Sequence, residues 1–208
     1  VFRNPAEPDG FAALLGIIAL ALVVHRGRFR VVRLIASGLI AGFAALYKPP
    51  LHFLLILPAF LCVQPPEPAR RRRDYVVPAA IWLGAALVPW AATALWLWRG
   101  GALGEAMHIV VGFNAAAHTG TWGAGQMLTV FESELRLRIT LLVLAVAGIA
   151  CIWRRRRRLA VALGAWIVLA LLAIGLQARF YQYQWQLLWP AAAVAGGVAD
   201  GELLRLAR

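Results

Sequence analysis

Lys48 is the one lysine in a chain whose other 20 basic residues are all arginine. It stands in Tyr47-Lys48-Pro49-Pro50, between two apolar stretches. Those stretches run for about 14 and about 12 residues, so as helices they reach roughly 20 Å, short of the roughly 30 Å apolar core of a bilayer. A lysine at such a turn sits slightly below the headgroup level, where a cation needs an anionic partner or a wet cavity. A lipid phosphate suits a compact ammonium; a lysine snorkelling from a helix end accounts for the residue equally well. His52, just inside the following stretch, either assists a phosphate site or bonds a backbone carbonyl.

The second group of interest is Arg179, Tyr181, Tyr183 and Trp185 in "QARFYQYQWQLLWP". A guanidinium and phenols at a membrane-facing mouth can hold a phosphate or sugar hydroxyls; the same residues also suit an aromatic belt at an interface. Glu7 and Asp9 precede the first apolar run, as solvated flanks or as the wall of a cavity beside Lys48. Glu132 and Glu134 stand four residues before Arg136 and Arg138, the favourable order for ion pairs along a helix, and read as structural. His108, Asn114 and His118 lie in a long loop without zinc-ligand spacing, and Cys62 and Cys151 read as small apolar fillers. No catalytic triad, phosphate loop or dinucleotide fingerprint is present, and no metal or cofactor is implied by spacing.

The elements that must position these residues follow from composition. Of 208 residues, 62% are apolar and 14% charged, too apolar for a soluble domain to bury. The formal net charge of +12 lies in short arginine clusters between apolar runs, the pattern of cytoplasmic loops and not of a nucleic-acid-binding module. The expected fold is all-α: a polytopic membrane protein with spans at about 11–24, 34–47, 51–63, 75–98, 139–153, 159–176 and 186–199. A loop at about 99–137 contains a short interfacial helix.

Orientation hangs on residues 34–63, which make either one long kinked helix or a hairpin turning at Lys48. A hairpin puts the clusters at Arg26–Arg33, Arg70–Arg73 and Arg154–Arg158 on one side, with Arg205 and Arg208. That distribution obeys the positive-inside rule, and a single helix does not. The expected placement is therefore a cell inner (plasma) membrane, with the first residues outside and the C-terminus cytoplasmic. Lys48, the 99–137 loop and the aromatic loop then share the outer face. The first residue is Val, and the first apolar run lacks the basic start of a signal peptide. The chain is thus expected to be one transmembrane domain, a fragment of a longer protein.

"GLIAGFAALYKPPLHFLLILP" resembles the Gly-rich, Lys-Pro-containing stretch of bacterial GT-C fold glycosyltransferases, the family 39 group of protein mannosyltransferase-like and aminoarabinose-transferase-like enzymes. "WRGGALGEAMHIVVGFN" is similar to the outer loop after that family's next span, and "RFYQYQWQLLWPAAAVAGG" to its late aromatic stretch. The resemblance covers most of the chain in the same order. It implies transfer of a sugar from a polyprenyl-phosphate donor to a lipid, glycan or protein acceptor on the outer face. It also implies donor-phosphate binding by Lys48, with Arg179 assisting, and substrate contacts from Tyr181, Tyr183 and His52. The family's catalytic carboxylate lies in a first outer loop, expected upstream of this fragment; Asp9 is the acidic residue nearest a family position. Two other functions stay open: a transporter or flippase of lipid-linked glycans, which usually shows repeats or paired broken helices, and a polymerase or ligase of such glycans.

Overall fold

The computed structural model describes residues 8–25, 29–47, 61, 63, 73–113, 124–177 and 182–206. Among them every regular element is helical and no strand occurs. The order begins with α1 (Pro8–Val24), α2 (Arg30–Tyr47) and α3 (Arg73–Arg99). A five-residue α4 (Leu103–Met107) then runs into a π-helical turn, His108–Phe113. The remainder is α5 (Ala124–Arg136), α6 (Ile139–Trp153), α7 (Arg157–Gln177), a 3-10 helix (Gln182–Leu187) and α8 (Trp189–Leu206).

Among the described residues two helices are long and apolar enough to cross a membrane, over Val76–Arg99 in α3 and Arg157–Gly175 in α7. Helices α5 and α6 are bent by 68° and would form a third if they make one broken span. Of the seven expected spans, these are the ones that length and hydropathy support. Helix α1 is apolar but short, and 51–63 lies outside the described residues apart from Leu61 and Val63. The last span was expected over 186–199; there a 3-10 helix ends at Leu187 and α8 continues to Leu206. The 99–137 segment carries α4, the π-helical turn and α5 where one short helix was expected.

The packing has the inside-out character that lipid demands. Alanine is the commonest buried residue among those described, while Leu14, Leu87, Trp96, Val146 and Leu172 face outward. In water this arrangement would be unfavourable. In hydrocarbon the exterior costs nothing, and helices associate by close approach of small residues. Cys151 follows the same pattern: its thiol is free and exposed on α6 and not a core filler.

Helices α1 and α2 form an antiparallel hairpin across a short link, cross-tied where the Ser37 hydroxyl donates to the Ala19 carbonyl at 2.7 Å. The same hydroxyl accepts from Trp82 Nε1 of α3 at 2.9 Å. Ser37 is the buried polar residue of this core, with Ala19, Leu34, Ala41, Val63 and Ala86 around it. A hydroxyl donates once and accepts freely, so one Ser satisfies two helices at once. Ser37→Ala should cost about 2 kcal/mol, because it removes the acceptor of the buried Trp82 indole N–H and the bond to α1 in a dry site. A lowered Tm of the detergent-purified protein would register this, and an unchanged Tm would deny it.

Gly38 and Gly42 are the small-xxx-small pair of α2, and both meet α3 main chain. A Cβ on Gly38 would overlap the Trp82 carbonyl oxygen, and one on Gly42 the Ala86 carbonyl oxygen. The partner index rises with the α2 index, so α2 and α3 run parallel. Val63 sits in the same cluster as Leu34, toward the start of α2. Arg30 and Arg33 at the start of α2 are therefore on the same end of the bundle as Arg73 at the start of α3.

The other core gathers α6, α7, α8 and the 3-10 helix around Leu163, Trp166, Ile174, Leu188 and Ala195. Helix α1 belongs to both cores: Ala19 faces the first, while Ala12 and Leu20 face the second. It is the wedge that joins the halves. Helix α3 stops cleanly because Gly101, at φ 68°, reverses the chain. The Ala102 N–H then caps the Leu97 carbonyl and the Gly101 N–H that of Trp98, a Schellman ending that favours glycine.

Candidate functional site

Lys48, His52, Arg179 and Tyr181 lie outside the described residues. For Asp9 and Tyr183 the structure describes the backbone, in the first turn of α1 and in the 3-10 helix. These two backbones are brought to one place. Gly10, next to Asp9, faces the 3-10 helix so closely that a Cβ there would lie 2.6 Å from Gln186 Oε1. Because α1 and α2 are antiparallel, the end of α2 at Tyr47, immediately before Lys48, is at this same end of the bundle. Segments separated by about 40 and about 170 positions in sequence thus share one end, as the close packing of small residues allows.

The 3-10 helix is held inward by two ties. Trp166 Nε1 of α7 donates to the Leu187 carbonyl at 2.8 Å. Trp185, fully buried, stacks on Phe131 of α5 with centroids 5.9 Å apart and planes at 28°. A six-residue 3-10 segment has poor internal hydrogen bonding, so these tertiary ties decide where it lies.

Beside Trp185 is a feature that the sequence reading set aside as structural. Arg138 lies at the bend between α5 and α6, its guanidinium carbon 4.6 Å from the centre of the Trp185 ring. Arg138 Nη1 donates at 2.7 Å both to Glu134 Oε2 and to the Glu134 carbonyl. The side chains of this pair are only 13% and 14% exposed. The neighbouring pair Arg136–Glu132 has the same spacing but is 78% and 61% exposed. Burial separates the two pairs physically. The outer one is screened and contributes little, whereas the inner one has lost its hydration and must be held by its partners.

Three polar atoms at this junction are buried without a hydrogen-bond partner among the described residues: Arg138 Nε, Trp185 Nε1 and Gln186 Oε1. The first two are donors on groups already in contact, and the third is an acceptor turned toward α1. The two donors lie beside the Glu134–Arg138 ion pair, so the junction is neutral overall. The sequence signal for it was the Glu134–Arg138 spacing at the mouth of the apolar run 139–153. Its burial and its meeting with Trp185, 47 positions later, left no trace in local pattern.

No group of three His, Cys, Asp or Glu side chains that could hold a metal occurs among the described residues. His108 is exposed, its ring lying against Gly112 in the π-helical turn. Together, fold and site define an all-helical protein with, among the described residues, two or three helices long and apolar enough to cross a membrane. A polar junction, where the first helix, a bent helix pair and a 3-10 segment meet, lies at one end. No family, curated protein or solved structure matches the chain.

Proposed function

We propose that the chain is part of a membrane glycosyltransferase that moves a sugar from a polyprenyl-phosphate donor to a lipid, glycan or protein acceptor on the outer face of the membrane. One observation carries this reading. The start of α1, with Asp9, and the 3-10 helix, with Tyr183, pack together at Gly10 and Gln186, and α2 ends beside them one residue before Lys48. The chemistry of such a transfer needs a cation and an acceptor-side base close together; the shared end of α1, α2 and the 3-10 helix supports that reading.

In the proposed step the acceptor hydroxyl oxygen attacks the anomeric carbon, and the bond from that carbon to the phosphate oxygen breaks. The bonding pair leaves on the phosphate, where Lys48 and Arg179 balance the developing charge. The hydroxyl proton passes to a carboxylate, and Asp9 is the candidate base. Tyr181, Tyr183 and His52 orient the donor's sugar and phosphate. The first test is transfer from a radiolabelled polyprenyl-phosphate sugar by the complete protein. Lys48→Ala is expected to lower turnover by about 100-fold or more, the usual loss when a charge-stabilising group is removed. Unchanged turnover and donor affinity would remove Lys48 from the mechanism. Asp9→Asn tests that role: lost turnover with donor binding intact supports Asp9 as the base, and unchanged turnover assigns the proton to another carboxylate.

The bent α5–α6 pair, with an ion pair at its break, is a feature transporters also use. Under that second reading, proteoliposomes would move a lipid-linked glycan across the bilayer without any acceptor product.

A further inference from the structure

The turn between α6 and α7 and the first residues of α7 carry five consecutive arginines, Arg154–Arg158. The turn is tight: the N–H groups of Arg155 and Arg156 both donate to the Ile152 carbonyl, at 3.0 and 2.8 Å. Five guanidinium side chains therefore leave a very short stretch of backbone. Arg154 to Arg157 are exposed. Among the described residues Arg154, Arg156 and Arg157 form no ion pair. Arg157 is held over the face of Trp153, its guanidinium carbon 5.2 Å from the ring centre. Trp153, 44% exposed, closes the apolar helix α6 at this point. An indole at the end of an apolar helix marks the interfacial level, where ring and headgroups meet.

We propose that this turn is a binding site for the phosphate headgroups of anionic phospholipids. The argument rests on charge, geometry and position. The positive charge of Arg154, Arg156 and Arg157, which form no ion pair among the described residues, is complementary to a negatively charged membrane surface. Arginine presents a planar fork that grips phosphate oxygens in pairs, which lysine cannot do. The cation–π contact keeps Arg157 from extending into water and fixes it beside Trp153 at headgroup depth. Because one phosphodiester neutralises only one of the three charges at Arg154, Arg156 and Arg157, a lipid bearing two phosphates engages the turn better than a lipid bearing one. This site is separate from the polar junction at Arg138 and stands whatever reaction the protein performs.

The test uses the full chain purified in a zwitterionic detergent and titrated with cardiolipin, phosphatidylglycerol or phosphatidylcholine, bound lipid being counted by native mass spectrometry. Wild type should retain cardiolipin above phosphatidylglycerol, and both far above phosphatidylcholine. The triple variant Arg154→Gln, Arg156→Gln, Arg157→Gln should lose about 100-fold in cardiolipin affinity, about fivefold for each charge removed. The corresponding triple lysine variant, which keeps the charge, should fall between them. Equal retention by wild type and the glutamine variant would overturn the proposal. Should the glutamine variant fail to fold, wild type alone decides: raising salt from about 0.1 M to about 0.5 M must weaken cardiolipin retention, and insensitivity to salt overturns the site. Competition by inorganic pyrophosphate at the same concentration as the lipid would also overturn it, by assigning the turn to free phosphates.

Discussion

Replacing Gly148 by leucine should leave little folded protein. Gly148 of α6 lies against the main chain of α8: a Cβ there would overlap the Ala195 carbonyl oxygen and lie 2.5 Å from its carbon. The obstacle is backbone and not the tip of a flexible side chain, so no rotamer change relieves it. The helices would have to separate, breaking the close packing of Ala145, Ala192 and Ala195 in the second core. In lipid that contact is what drives association, since burial of apolar surface contributes nothing between helices already surrounded by hydrocarbon. Overpacking of a tight core costs about 1–3 kcal/mol, and this position belongs at or beyond the upper end. Yield of monodisperse protein and Tm measure the effect. Gly175→Leu is the control, because nothing lies within 4 Å of a Cβ there; it should be neutral or slightly stabilising through helix propensity. A Gly148→Leu protein as stable as the control would mean that α6 and α8 do not meet through their backbones.

The second large effect is expected at Glu134. Glu134→Ala removes the carboxylate from a guanidinium that is only 13% exposed and whose Nε already has no partner among the described residues. An uncompensated buried charge costs about 3–5 kcal/mol. The change should therefore destabilise by about 3 kcal/mol, with part of the loss recovered by Glu134→Gln, whose amide oxygen still accepts from Arg138. The neighbouring substitution Glu132→Ala, in a pair that is 78% and 61% exposed, should lie below about 0.5 kcal/mol. Chemical denaturation of the four proteins side by side compares them directly. Similar losses at 132 and 134 would show that the inner pair is solvated after all. A double-mutant cycle pairing Arg138→Gln with Trp185→Phe would report how much of Arg138's stabilisation comes from the indole face.

Much of this architecture could be read before any coordinates. The apolar run at 139–153 coincides with α6, and the runs at 75–98 and 159–176 lie within α3 and α7. Uninterrupted hydrophobicity at helical length is a local property, so the local pattern is sufficient. Gly38 and Gly42 signalled a close helix contact for the same reason: a small residue every four positions lies on one helical stripe. Both acidic–basic pairs before α6 were legible from their spacing of four, and both form.

The site residues were less legible. Spacing could not distinguish Glu134–Arg138 from Glu132–Arg136, because both are acid–base pairs four residues apart. Only the position of Trp185 and Phe131 makes one a buried junction and the other a surface pair. The 3-10 segment at Gln182–Leu187 read as a loop leading into a helix. Its inward placement is decided by Trp166 and Trp185, whose ring contacts come from distant turns of the chain.

Composition and order by themselves therefore determined that this chain is all-helical, built for an apolar surrounding, and divided into helices by arginine-rich turns. These are consequences of backbone hydrogen-bond satisfaction and of charge, which act within a few residues of each other. Tertiary structure alone decided that α2 and α3 run parallel, that α1 bridges two cores, and that Asp9's turn, the bent α5–α6 pair and the 3-10 helix share one end. Those facts depend on which small residues let two backbones touch, a pairwise match between distant segments that no single stretch of sequence contains.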